Sequence, residues 1–104
     1  MAPGTYAGGF YVKGVHGTER APVVIEARDP KDPPLIQGGD VSFHVSGCRY
    51  IILRNLRIDG QRGNGINVDH AGIDDTPGHF VTLENLTVSN VGPVGNHDAI
   101  KVSQ

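Results

Sequence analysis

The chain has 104 residues, with 15 Gly, 7 Pro, 38% hydrophobic residues and a formal net charge of -2. This length suits one folding unit, and the Gly and Pro content favours turns over long helices. The low charge and the absence of Trp argue against nucleic-acid binding, and no apolar run approaches the ~20 residues of a membrane span. The single Cys48 excludes an internal disulfide and a multi-cysteine metal site, and we expect it to be a small buried residue.

Short stretches that alternate apolar and polar residues recur along the chain, and this period of two predicts strands with one buried face. Three successive strands of this kind make one repeat, which we call a coil. The first coil has strands at 10–15, 22–28 and 34–38. The second coil runs from Val41 to about Gly60 and the third from Gly65 to about Asn90, and an opening strand of a fourth follows at 99–103.

Two sequence patterns recur at equivalent points of these coils. Residues 50–58 resemble residues 80–88 at a constant offset of 30, which pairs Leu53 with Leu83, Asn55 with Asn85 and Leu56 with Leu86. A second pattern, an apolar residue followed by any residue and Val, starts at Phe10, Phe43, Ile66 and Ile100. A constant strand set with variable spacing places the additional residues in turns, where insertions cost little.

These repeats predict an all-β fold, a right-handed parallel β-helix of about three coils plus the first strand of a fourth. The alternative is a β-sandwich of short antiparallel strands, but a sandwich gives no reason to repeat Leu-x-Asn-Leu at a fixed offset. In a parallel coil, Asn55 and Asn85 stack in the same turn and their amides hydrogen-bond each other. We expect residues 1–104 to be one β-helix segment and the N-terminal part of a longer solenoid, whose open edges also allow copies to stack end to end.

The N-terminal half carries a family resemblance. Residues 3–6 (Pro-Gly-Thr-Tyr), 17–19, 21–27, 36–39 and 46–52 resemble the opening coils of pectate-lyase-like β-helix proteins. Within that group the chain is most similar to the chondroitinase B and alginate lyase group of polysaccharide lyases. The resemblance implies the β-helix fold, a uronate-containing polysaccharide as partner, and an extracellular or periplasmic location whose targeting segment is not in this chain. The catalytic and calcium-binding residues of that group lie further along than this chain reaches, so none is carried over.

The alternation of residues along the strands with the apolar-x-Val pattern predicts an outward column of side chains. If the apolar residues of each apolar-x-Val pattern point inward, Tyr11, His44, Asn67 and Lys101 point outward and align about 4.8 Å apart. A second column then contains Lys13, Ser46, Asp69 and Ser103. Proteins of the resembled group commonly use this outer face as their substrate groove.

A polysaccharide lyase needs a cation to stabilise the carboxylate of a uronate and a base to remove the neighbouring proton. We therefore take Lys101, His97 and His44 as candidate catalytic residues. The candidate substrate-binding residues are Asn67, Asp69, His70 and Tyr11. A solvated exposed face without catalytic function explains the same outward residues.

Calcium is the candidate cofactor, because it binds carboxylate and carbonyl oxygens. The candidate ligands are Asp74, Asp75 and Asp98. Asp74 and Asp75 precede Thr-Pro-Gly, which is also an ordinary turn composition, and Asp98 fits a turn cap as well. The histidine spacing does not support zinc, and the outward acids do not match the carboxylate pair of a glycoside hydrolase. The alternative function is a non-catalytic β-helix module for surface adhesion or structure.

Overall fold

A computed structural model describes residues 1–69, 80–93 and 97–102 of the chain. All regular structure in these residues is β, and no helix occurs among them. The strands are β1 (Thr5–Ala7), β2 (Phe10–Lys13), β3 (Val23–Glu26), β4 (Leu35–Gln37), β5 (Phe43–Ser46), β6 (Ile51–Asp59), β7 (Ile66–Asp69), β8 (Val81–Ser89) and β9 (Ile100–Val102).

The strands form two sheets in which every described pair is parallel. Strands β2, β5, β7 and β9 follow one another in the four-stranded sheet. The five-stranded sheet contains β1, β3, β4, β6 and β8, and it curls strongly because β6 pairs with β3 along its first half and with β4 along its second. Parallel pairing confirms the all-β prediction and excludes the antiparallel sandwich for these strands.

The curl of the five-stranded sheet is centred on an asparagine. Leu53 and Leu56 lie three residues apart, yet both are buried, which a straight strand of period two does not allow. Asn55 between them has a φ of 58°, a left-handed conformation that Asn tolerates better than most residues, and it turns both leucines inward. Asn85 repeats this conformation in β8, with a φ of 50°. The turn predicted at Asn55 and Asn85 is therefore a bend within one continuous strand in each case.

The predicted asparagine stack is present at this bend. Asn85 Nδ2 donates a hydrogen bond of 2.7 Å to Asn55 Oδ1, and the two residues lie between paired segments of β6 and β8. The constant offset of 30 is confirmed, since Leu53 pairs with Leu83 and Leu56 with Leu86. The repeat in the sequence thus corresponds to equivalent residues on adjacent parallel strands.

The core lies between the two sheets and is made from the inward residues of both. The apolar-x-Val residues align in two columns, with Phe10, Phe43, Ile66 and Ile100 in one and Val12, Val45, Val68 and Val102 in the other. The buried cluster comprises Ile36, Phe43, Val45, Cys48, Ile51, Leu53, Leu56, Ile58, Ile66 and Val68. Cys48 is buried, as predicted.

Strand β1 was not among the predicted strands. It is three residues long and places only Tyr6 toward the core, so it has too little alternation to be recognised by periodicity. It pairs with β4, and the Tyr6 hydroxyl donates to the carbonyl of Ala2 at 2.8 Å. Tertiary pairing, rather than a local pattern, defines this strand.

Candidate functional site

The outer face of the four-stranded sheet carries the predicted column. Tyr11 pairs with His44, His44 with Asn67, and Asn67 with Lys101 on successive strands. The flanking residues of β5 and β7 point inward, and Phe43, Val45 and Ile66 are buried. The four column residues are half-buried or exposed. The column therefore occupies the outer face of this sheet, and we call it the outer column.

Asp69 connects the outer column to its neighbouring column. Its Oδ2 lies 2.6 Å from His44 Nε2, and its Oδ1 accepts a hydrogen bond of 2.6 Å from Ser46 Oγ. Ser46 and Asp69 are directly paired residues of β5 and β7, and Ser46 is buried. The side chains of His44 and Asp69 are each 30% exposed, so the carboxylate and the imidazole remain accessible from outside.

This arrangement selects one tautomer of His44. Because the carboxylate of Asp69 only accepts hydrogen bonds when ionised, Nε2 of His44 carries the proton that it donates. In the neutral ring Nδ1 then bears the lone pair, and among the described residues it has no hydrogen-bond partner. His44 is thereby oriented as a proton acceptor through Nδ1.

Tyr11 and Asn67 are held beside His44 by contacts of their own. The ring of Tyr11 meets the imidazole edge-on, with centroids 4.8 Å apart, and Tyr11 is 59% exposed. Asn64 Nδ2 donates to Asn67 Oδ1 at 2.8 Å, and Asn64 Oδ1 accepts the backbone N–H of Asp98 at 2.8 Å. The outer column thus presents an aromatic ring, an imidazole and an amide in sequence.

The other predicted catalytic residues are less connected. Lys101 is exposed at the end of the outer column, beside Asn67. His97 is exposed and its side chain lies against Gly92. Within the described part of the chain, the side chains of His97, Asp98 and Lys101 make no hydrogen bond or ion pair. The structure therefore joins Lys101 to the outer column by strand pairing and leaves His97 outside the His44 network.

The predicted calcium ligands are described only in part. Asp74 and Asp75 lie outside the described residues, as does His70, which was predicted to bind substrate. The backbone of Asp98 bonds Asn64 and Gly65, whereas its carboxylate is exposed. No group of three or more His, Cys, Asp or Glu side chains suited to a metal ion occurs among the residues described. The calcium site stays a prediction.

Ser46 and Asn64 are the two residues that the sequence reasoning did not identify as part of the site. The predicted second outward column aligns Ser46 with Asp69, and that alignment is the available signal for their hydrogen bond. No pattern pointed to Asn64, because it lies in the turn before β7 and reaches Asn67 from there. Side-chain contacts made by turn residues have no periodic signature.

The curled sheet carries polar columns whose groups are paired with each other. Arg54 lies between Glu26 and Glu84, with its Nε 2.6 Å from Glu26 Oε2, and the hydrogen bond and charge of Glu26 raise the pKa of Arg54. Hydrogen bonds from the side chains of Asn90 and Ser89 lower the pKa of Asp59. These columns link neighbouring strands and are structural.

A scan against protein-family models, a search of curated proteins and a search of solved structures find no match. Within the described ranges there is no helix with the length and apolar character needed to span a membrane.

Proposed function

We propose that this chain is a right-handed parallel β-helix whose outer column binds a uronate-containing polysaccharide, with His44 as the base of a lyase reaction. The β-helix is supported by parallel pairing in three strand columns, β2–β5–β7–β9, β3–β6–β8 and β1–β4–β6–β8. The observation that carries the functional proposal is the contact between His44 and Asp69, since it presents a lone pair on an accessible imidazole.

The outer column has the groups that an acidic sugar chain requires. An exposed aromatic ring such as Tyr11 can pack against the apolar face of a sugar, and the Asn67 amide can hydrogen-bond its hydroxyls. The ammonium group of Lys101 can pair with the uronate carboxylate. A sugar chain lying across the strands meets these groups in the order Tyr11, His44, Asn67, Lys101.

The proposed step is a β-elimination. His44 Nδ1 accepts the proton from C5 of the uronate, the C5–H electron pair forms the C4–C5 double bond, and the C4–O bond breaks. The departing oxygen takes a proton from solvent. Lys101 balances the negative charge that develops on the carboxylate, and Asp69 stabilises the imidazolium that forms.

The test is incubation of the 104-residue chain with alginate, pectin and chondroitin, with and without calcium, while unsaturated uronate ends are measured. The variant His44→Gln keeps an N–H donor for Asp69 but offers no base, so we expect its turnover to fall at least ~100-fold with binding retained. Lys101→Ala should weaken both binding and turnover. The matched control is Lys31→Ala, because Lys31 is also exposed and lies in the turn before β4.

The outcomes separate the two candidate functions. Binding without unsaturated product supports the alternative, a non-catalytic module that uses the same face. The absence of both binding and product with all three polymers would refute the polysaccharide proposal, and unchanged turnover in His44→Gln would refute the role of His44. Product that depends on calcium would support the predicted cofactor. Binding of a polysaccharide would also support the proposed extracellular or periplasmic location.

A further inference from the structure

The orientation of the Asn67 amide is set by a chain of two hydrogen bonds that begins at a backbone group. The backbone N–H of Asp98 donates to Asn64 Oδ1 at 2.8 Å, and Asn64 Nδ2 donates to Asn67 Oδ1 at 2.8 Å. Because a backbone N–H can only donate, Asn64 must turn its oxygen toward Asp98 and its NH2 group toward Asn67. Asn67 must then present its oxygen to Asn64, since two NH2 groups facing each other form no hydrogen bond.

The backbone group at the start of this chain is itself held in place. The N–H of Gly65 donates to the carbonyl of Asp98 at 3.0 Å and the N–H of Ile66 to that of Ala99 at 3.0 Å, so the pairing of β7 with β9 extends back to Asp98. A Cβ atom at Gly65 would lie 2.3 Å from the carbonyl oxygen of Ala99, so the two backbones approach too closely for any other residue. The N–H of Asp98 therefore has a fixed direction, and reversal of the Asn64 amide would remove its acceptor.

The part of the Asn67 amide that remains for a ligand is a donor. With Oδ1 turned to Asn64, the Nδ2 group keeps two N–H bonds that have no partner among the described residues. Asn67 is half-buried and lies on the outer face between His44 and Lys101. The ammonium group of Lys101 also only donates. Adjacent positions of the outer column thus present two donor groups, which suit the oxygens of a carboxylate.

We propose that Asn64 is a positioning residue that keeps the Nδ2 group of Asn67 turned to the ligand, so that Asn67 donates to the uronate carboxylate. The inference rests on the function proposed above. Since adjacent strands lie about 4.8 Å apart, Asn67 lies one strand spacing from His44 and Lys101 lies two. The carboxylate is bonded to C5, whose proton His44 accepts, so the nearer donor, Asn67, meets the carboxylate of the reacting sugar. Donation from Nδ2 stabilises the negative charge that develops there.

The first test observes the orientation in the full chain without ligand. Solvent exchange of the side-chain NH2 groups is measured by NMR on isotope-labelled protein. We expect slow exchange for one N–H of Asn64, which donates to Asn67, and fast exchange for both N–H groups of Asn67. In Asn67→Ala the exchange at Asn64 should become fast, while the backbone N–H of Asp98 stays protected. Equal exchange at the two amides, or slower exchange at Asn67, would overturn the orientation.

The second test reverses the amide of Asn67. In Asn64→Asp one carboxylate oxygen still accepts the N–H of Asp98, and the other accepts only a donor from Asn67. Asn67 must then turn its NH2 group to the new carboxylate and its oxygen to the ligand. We expect binding of alginate, pectin or chondroitin, measured by calorimetry, to weaken on the order of tenfold.

A double-mutant cycle separates this reversal from the charge that Asn64→Asp adds. In the background of Asn67→Ala there is no amide to reverse, so the same substitution should weaken binding by no more than about threefold through its charge. The matched control is Thr87→Glu, which adds the same charge at an exposed position of β8 opposite Arg57 and should bind like the unchanged chain.

The outcomes keep this inference apart from the proposed function. If Asn64→Asp weakens binding equally with and without the Asn67 amide, it acts through charge alone and the positioning role is wrong. If none of the three polymers binds the unchanged chain, recognition of the carboxylate fails together with the proposed function, whereas the exchange rates still decide the orientation. The exchange test needs only the unchanged chain, so it stands even if a variant does not fold.

Discussion

The bend at Asn55 makes a prediction whose parts can be separated by substitution. Asn55 contributes a side-chain oxygen to Asn85 and a left-handed backbone conformation with a φ of 58°. Ala lacks the oxygen and makes the left-handed conformation costly, whereas Gly lacks only the oxygen. Asp retains an acceptor and tolerates the conformation. The three variants therefore measure the hydrogen bond and the backbone cost independently.

The expected magnitudes follow from these two contributions. The hydrogen bond between Asn85 and Asn55 is exposed, so we assign it about 0.5–1 kcal/mol, the lower part of the usual range. A left-handed Ala costs roughly 1–2 kcal/mol, whereas Gly at this position costs about 0.5–1 kcal/mol through the entropy of the unfolded chain. We expect Asn55→Ala to be the most destabilising, Asn55→Gly to be milder by about 0.5–1 kcal/mol, and Asn55→Asp to be the mildest.

The assay is urea unfolding followed by circular dichroism, with the free energy of unfolding from linear extrapolation. Measurements at low protein concentration avoid a contribution from association. If Asn55→Ala is no less stable than Asn55→Gly, the backbone conformation does not carry the cost assigned to it. If Asn55→Asp is as unstable as Asn55→Ala, neither the retained acceptor nor the tolerated conformation stabilises the bend.

Three further predictions concern the core, the polar columns and the site. Leu53→Ala should cost about 2–5 kcal/mol in urea unfolding, and Leu83→Ala clearly less, because Leu53 is fully buried and Leu83 only half-buried. Native hydrogen bonds lower the pKa of Asp59 from 3.8. Its carboxylate therefore adds stability that is fully present above the pKa of the unfolded chain and is lost as the pH falls through the pKa of the folded chain. Asp59→Asn should show a smaller loss of stability on acidification, measured as the urea midpoint against pH. Ser46→Ala should lower turnover, by up to about 100-fold, without changing polysaccharide binding, since Ser46 acts only by positioning Asp69, and Ser46→Thr should recover part of it. The core argument is contradicted if Leu53→Ala and Leu83→Ala have equal effects. The argument for Asp59 is contradicted if Asp59→Asn leaves the pH response unchanged, and the positioning role of Ser46 is contradicted if Ser46→Ala loses binding.

The strand columns could be predicted because the fold repeats its own register. The pairing of Leu53 with Leu83 and of His44 with Asn67 follows from period two combined with matching patterns. The same information predicts a turn at Asn55, because Leu-x-Asn-Leu breaks the alternation that a straight strand would keep. It does not show that the strand stays paired through the bend, which depends on β3 and β4 pairing with the two halves of β6.

The connections within the candidate site could be predicted only in part. Alignment of Ser46 with Asp69 followed from the register, but the contact of Asp69 with His44 is diagonal and depends on side-chain conformation. His97 and Lys101 are close in the sequence, and both are candidate catalytic residues. In the structure Lys101 belongs to a strand and His97 to the segment before it, so their side chains share no hydrogen bond.

The two sheets differ in how their outward polar groups are used, and this difference is the reason to place function on the four-stranded sheet. On the curled sheet Arg54 is shared between two glutamates and Asp59 is bonded by its neighbours, so these groups are satisfied within the protein. On the four-stranded sheet the contact with Asp69 uses one nitrogen of His44 and leaves Nδ1 without a partner among the described residues, while Tyr11 and Lys101 are exposed. Polar groups that already bond each other offer little to a ligand, whereas an oriented imidazole between an aromatic ring and a cation can bind and react with one.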